Sequence, residues 1–176
     1  MKSLLPLALA AALVSSVPAA VPAEESHHEH GSPSASASSL PKSFTPEGMK
    51  WVDAMPSLPR GVRMAVLEGD PATPGPYTVR LWLPAGCRVL PYWRPETERL
   101  TVVLGAVILG LGNQFDDDAG VPIKAGSFAL VPARRHHYLW TRDVAVVQMH
   151  GVGPWSMTYV DASLDPRHAK GGGAKH

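Results

Sequence analysis

Gly86-Cys-Arg-Val-Leu-Pro-Tyr92-Trp-Arg94-Pro-Glu-Thr-Glu98, running on to Gly105, is the stretch on which the reading of this chain turns. Its companion is Gly126-Ser-Phe-Ala-Leu-Val-Pro132-Ala-Arg-Arg-His-His137. Each opens on glycine, which turns a chain at backbone angles that strain other residues. Side chains two apart on a strand share a face. Tyr92 and Arg94 are therefore expected on one side, with Trp93 on the other. By the same alternation His136 and His137 face opposite ways, so at most one of them points inward.

Around these stretches, apolar and β-branched runs recur at short intervals between turn signals. Strands are expected over 63–68, 77–83, 99–104, 106–111, 127–131, 136–140, 144–150 and 155–160. Residues 113–119 are the one place for a helical turn, and Asp116, Asp117 and Asp118 within it read as a solvated loop. The 18 prolines and 16 glycines argue against long helices. This many short strands predicts an all-β sandwich or barrel, with no internal repeat.

Charge excludes some partners. Lys plus Arg number 16 and Asp plus Glu 15, so no net field favours nucleic acid or an anionic membrane. Residues 1–23 read as a secretory signal: Lys2, an apolar run over 4–14, and Val21-Pro22-Ala23 as the cleavage site before Glu24. The run is too short and too interrupted by Pro6, Ser15 and Ser16 to span a membrane. The mature protein is expected in the periplasm or secreted. Residues 24–43 form a His-, Ser- and Pro-rich linker and 166–176 a Gly-rich flexible tail, which leaves a folded unit over 44–165. The cluster His27-His28-Glu29-His30 in the linker is a second place where a metal could bind, independent of the fold. A single cysteine, Cys87, excludes an internal disulfide. It reads as a small residue packed at a corner, with a redox role as the alternative.

The two quoted stretches resemble the paired motifs of the cupin superfamily, G-x5-H-x-H-x3-E-x6-G and G-x5-P-x-G-x2-H-x3-N. Every interval fits. The resemblance extends over most of residues 60–160 and implies a cupin-type jelly-roll β-barrel. In that family the motifs hold a divalent transition metal, and the matching positions here are Tyr92, Arg94, Glu98 and His137. Glu98 and His137 keep the family's residue types. Tyr92 and Arg94 stand where histidines belong, Arg134 replaces the turn glycine, and Thr141 replaces the final Asn. Arg94 cannot ligate a cation, because its guanidinium carries only donors and stays protonated. It offers Glu98 the charge a metal would supply, which suggests an Arg94–Glu98 ion pair in place of the metal. The alternative is that Arg94 points to solvent.

His150 lies beside the Gly151-Val-Gly-Pro turn. A rearranged metal site would draw on Glu98 and His137 with Tyr92 and His150; otherwise His150 is structural. The sequence carries no phosphate loop, no dinucleotide fingerprint, no CxxC and no nucleophile elbow. Three functions remain. The first is binding of a small molecule, for instance an anion, in the barrel by Tyr92, Arg94, Glu98 and His137, with no cofactor. The second is a metal-dependent enzyme of oxygenase or isomerase type. The third is a structural or partner-binding module, with the homodimerisation common among cupins.

Overall fold

The computed structural model describes residues 42–168. The expected signal segment, nearly all of the linker with its His27–His30 cluster, and the tail from residue 169 lie outside the described residues. Two antiparallel sheets form the fold. The six-stranded sheet contains β1 (Val52–Asp53), β2 (Arg63–Glu68), β3 (Gly75–Leu83), β5 (Glu98–Leu104), β8 (Phe128–Val131) and β10 (Ala145–Gly153), in the order β1-β2-β3-β10-β5-β8. The five-stranded sheet contains β4 (Arg88–Trp93), β6 (Ala106–Leu111), β7 (Val121–Lys124), β9 (His137–Trp140) and β11 (Thr158–Tyr159), in the order β11-β4-β9-β6-β7. This is the expected all-β jelly roll. No helix among the described residues is long and apolar enough to cross a membrane.

Strict alternation builds the first wall. On β3, Tyr77, Val79, Leu81 and Leu83 are buried while Thr78, Arg80 and Trp82 are more exposed. β10 and β5 follow the same rule, with Val147 and Met149 inward on one and Glu98, Leu100 and Val102 on the other. The opposite wall supplies Val89 and Tyr92 from β4, Val107 from β6 and Leu139 from β9. Each fully buried aliphatic side chain of this core contributes about 1.5–3 kcal/mol.

β9 is buried on both faces. Its outward residues Tyr138 and Trp140 pack with Ile108 beneath Phe115, whose ring lies 5.2 Å from Tyr138. Phe115 belongs to the segment expected to make a helical turn. That expectation is corrected: residues 113–119 form an irregular loop, laid down over β9 by the aromatic contact. The strand expected over 155–160 shortens to 158–159, because the Trp155 backbone N–H donates to the Pro71 carbonyl of a neighbouring loop. The pattern also missed β7. Its Pro122 lacks an N–H, yet β7 tolerates it as the end strand of its sheet.

Order continues past residue 165. Residues 166–168 form a 3₁₀ turn in which Arg167 bonds the Asp165 carboxylate and the Met157 carbonyl.

Candidate functional site

The polar cluster owes its direction to an irregularity in β4. Val89 pairs with Leu139 and Tyr92 pairs with His137, so β4 spends one more residue than β9 over the same interval. Such a bulge reverses the alternation that follows it. Without it Pro91 and Trp93 would face the core. With it Tyr92 and Arg94 do, at 5% and 7% exposure. Pro91 sits within the bulge, where a missing N–H costs no ladder bond. Spacing alone does not reveal the bulge, although a proline within a strand run is its signal.

The four positions carried by the two motifs converge. Glu98 enters from β5, Tyr92 from β4, His137 from β9, and Arg94 from the turn after β4; all are buried. The Tyr92 hydroxyl donates across both carboxylate oxygens of Glu98, at 3.0 Å to Oε1 and 3.1 Å to Oε2. Arg94 points inward, as the ion-pair expectation requires, but not as a bidentate clamp. Its Nη1 stands 3.9 Å from Glu98 Oε2, while Nη2 donates to the Tyr77 hydroxyl at 2.8 Å. The guanidinium also lies over the Trp155 ring, 3.9 Å from its centroid. A cation on an aromatic face is attracted by the ring quadrupole, more so when desolvated.

His137 Nδ1 lies 2.8 Å from the Arg135 carbonyl oxygen. A carbonyl only accepts, so Nδ1 carries a hydrogen, which leaves Nε2 as the ring's other polar atom. That Nε2 is buried with no hydrogen-bond partner and faces Glu98 Oε2 at 3.6 Å, too far for a hydrogen bond. The ring packs on Tyr92 with centroids 4.1 Å apart. Burial pushes the Glu98 carboxyl up, but the His137 ring, Arg94 and the Tyr92 hydroxyl outweigh it and hold the group below the usual carboxylate range. Burial, and then the negative charge of Glu98, push the Tyr92 phenol well above its ordinary value. Tyr92 thus keeps its proton.

The structure does not bring His150 to this cluster. Its side chain is exposed on the outer face of β10, which runs on through the expected turn to Gly153, with Nδ1 3.2 Å from the Thr78 hydroxyl and Nε2 3.3 Å from Gln148. Odd-numbered residues of β10 face the core here, so residue 150 faces out. His136 also turns away, to Asn113. Asp116, Asp117 and Asp118 cluster closely enough to hold an ion, but all three are exposed, and Asp117 pairs with Arg88. The second motif bends at Arg134, whose φ of 61° is the left-handed angle expected for the replaced glycine. Its N–H donates to the Arg94 carbonyl, which ties the two motifs together. Thr141, in the place of the Asn, accepts from the Cys87 N–H and donates to the Pro84 carbonyl.

A small cavity opens beside the cluster. Apolar side chains including Leu81, Leu100, Val147, Met149 and Trp155 line it, and Tyr92 and Glu98 are its polar groups. It offers about 20 Å³ to the centre of a water-sized sphere, room for a single water. Sequence reasoning missed Tyr77 and Trp155, which complete the site; nothing in their local sequence marks them.

No protein-family model matches the chain, and no curated protein matches it. Solved structures do. A polyketide cyclase from Streptomyces resistomycificus is similar at 14% identity and TM-score 0.59, over 73% of this chain and 91% of that one. A putative acetylacetone dioxygenase from Methylibium petroleiphilum is similar at 15% identity and TM-score 0.52, over 72% and 86%. An RmlC-like cupin from Shewanella frigidimarina aligns at 14% identity and TM-score 0.46, over 61% and 86%. With its two antiparallel sheets, the chain has the cupin-type jelly-roll fold expected of it.

Proposed function

We propose that this is an exported binding protein that takes a small molecule into the barrel without a metal ion. The observation that carries the metal-free reading is the buried Arg94 guanidinium, 3.9 Å from Glu98. Glu98 and Arg94 balance in charge, so the site has no need of a further cation, and Arg94 repels one. The donor set is also short. Tyr92 holds its proton and spends it on Glu98, and His150 is on the outer face. Only Glu98 and His137 remain, fewer than the three protein ligands that catalytic sites of this kind supply. These residues do not fit the metal that the fold family implies. The unpartnered Nε2 of His137 is the one feature that favours the alternative, a metal-dependent enzyme of oxygenase or isomerase type.

The binding reading is supported by an apolar cavity whose lining includes the Glu98 carboxylate and the Tyr92 phenol. An anionic ligand is not supported. Arg94 does not line the cavity, because Trp155 covers its face and Tyr77 takes one of its donors. Export rests on the residue pattern over 1–23.

The test is elemental analysis of a chain trimmed to residues 42–168, after incubation with Mn, Fe, Ni and Zn. Trimming removes His27, His28 and His30, which would bind metal on their own. The expected result is no stoichiometric metal. One metal per chain, lost on Glu98→Gln or His137→Ala, would overturn the metal-free reading and favour the enzyme alternative.

A further inference from the structure

Trp155 lines two spaces at once. On one side is the inner cavity, and on the other a surface groove of about 530 Å³ bounded by Met55, Pro56, Met64, Pro71 and Pro154. A cavity with room for one water admits nothing larger unless a wall moves. Most of its walls are side chains on paired strands, and three are not: Leu58, Met157 and Trp155. Leu58 and Met157 are buried, whereas Trp155, between β10 and β11, is half-buried and also faces the groove. Its backbone is held by a single hydrogen bond to Pro71, and its ring by the faces of Arg94 and Tyr77. Its indole Nε1 is buried with no partner. An unmade hydrogen bond costs free energy in the closed position and is regained in water. Swinging outward therefore satisfies the indole N–H and joins the cavity to the groove.

Glu98 sets what can be held there. Tyr92 gives it one hydrogen across two oxygens, which leaves accepting capacity. Arg94 already balances its charge. An anion would meet the carboxylate, and a cation would add a second positive charge beside Arg94. A neutral donor suits the site.

From this geometry we infer that the Trp155 indole is the movable wall of the barrel, admitting a neutral, mainly apolar molecule whose one hydroxyl donates to Glu98. This rests on the small-molecule reading above. A ligand that needs the wall open binds with an apparent affinity reduced by the fraction of chains that are open.

The test uses the full chain, with phenol and benzene as probes. Indole N–H exchange with deuterium is followed by NMR, and Trp140 is the internal control: its Nε1 is likewise buried and unpartnered, but it lies on β9 between neighbouring strands. The Trp155 N–H is expected to exchange faster than that of Trp140. Phenol is expected to bind about tenfold more tightly than benzene, the value of one hydrogen bond to a charged group. Trp155→Ala should speed phenol association about tenfold and tighten it, by the population argument. Trp155→Phe, which keeps a ring on Arg94 and the fold intact, should lie between. Equal exchange at the two indoles, with phenol association unchanged in both variants, would overturn the movable wall and leave the binding reading standing. Benzene bound as tightly as phenol would overturn the hydroxyl assignment. Phenol bound by no form of the chain would overturn the binding reading itself, and this inference with it.

Discussion

Arg94 stands where the motif spacing puts a histidine, and its burial changes what Glu98 can do. A buried carboxylate without a positive neighbour is costly. Arg94→Ala removes that neighbour together with the Tyr77 hydrogen bond and the Trp155 contact. The expected loss is about 3 kcal/mol in unfolding free energy by urea denaturation. Arg94→Lys keeps the charge but not the flat guanidinium on the ring, so a smaller loss is expected. An unchanged midpoint for Arg94→Ala would show that Glu98 does not depend on it. Cys87 illustrates the opposite case, a buried residue that no neighbour activates. Burial pushes its thiol up to about 11, so the nucleophilic thiolate is scarce at neutral pH. Native protein at pH 8 is expected to resist maleimide, with labelling only on unfolding.

At the scale of elements, two local departures from regularity aim the site. The bulge in β4 turns Tyr92 and Arg94 inward, and the left-handed residue Arg134 brings the second motif back against the Arg94 carbonyl. A non-glycine residue at such an angle costs about 1–3 kcal/mol. Arg134→Gly relieves this but raises the entropy of the unfolded chain and loses the contact with Trp93, whose ring centroid is 5.7 Å from the guanidinium. A net gain of about 0.5–1 kcal/mol is expected by chemical denaturation. A loss would mean that the contact with Trp93 outweighs the backbone term. The glycine position in the motif spacing makes the turn at residue 134 legible in the sequence. The bulge is not legible there, because strict alternation from Val89 buries Pro91 and Trp93 instead.

For the molecule as a whole, the cluster is a tie between sheets. Glu98 comes from the six-stranded sheet, while Tyr92 and His137 come from the five-stranded one. The folded state holds Glu98 below its unfolded value, so the unfolded chain takes up the proton first as pH falls. Its contribution is therefore complete above about pH 4.3, the unfolded carboxyl value. It is lost progressively as pH falls through the lower folded value. Glu98→Gln is expected to be less stable at neutral pH and to show a shallower loss in acid, read from unfolding free energies across pH 3–7. Parallel curves for the two proteins would remove Glu98 from the acid response.

The order of residues along the chain specifies an all-β sandwich or barrel and the turns at the motif glycines, while the jelly roll and the four positions that meet follow only from the resemblance of the two stretches to the cupin motifs. Alternation, turn residues and interval lengths are local properties that tertiary context rarely overrides over so many short strands. They do not specify that Glu98 takes its hydrogen bond from Tyr92, that Arg94 spends its own on Tyr77, or that Trp155 closes the cavity. Tyr92 and Glu98 are close in the chain but enter from different sheets, and Tyr77 and Arg94 meet across 17 residues. The choice among several donors for one buried carboxylate is made by distance and packing, which exist only once both sheets are assembled.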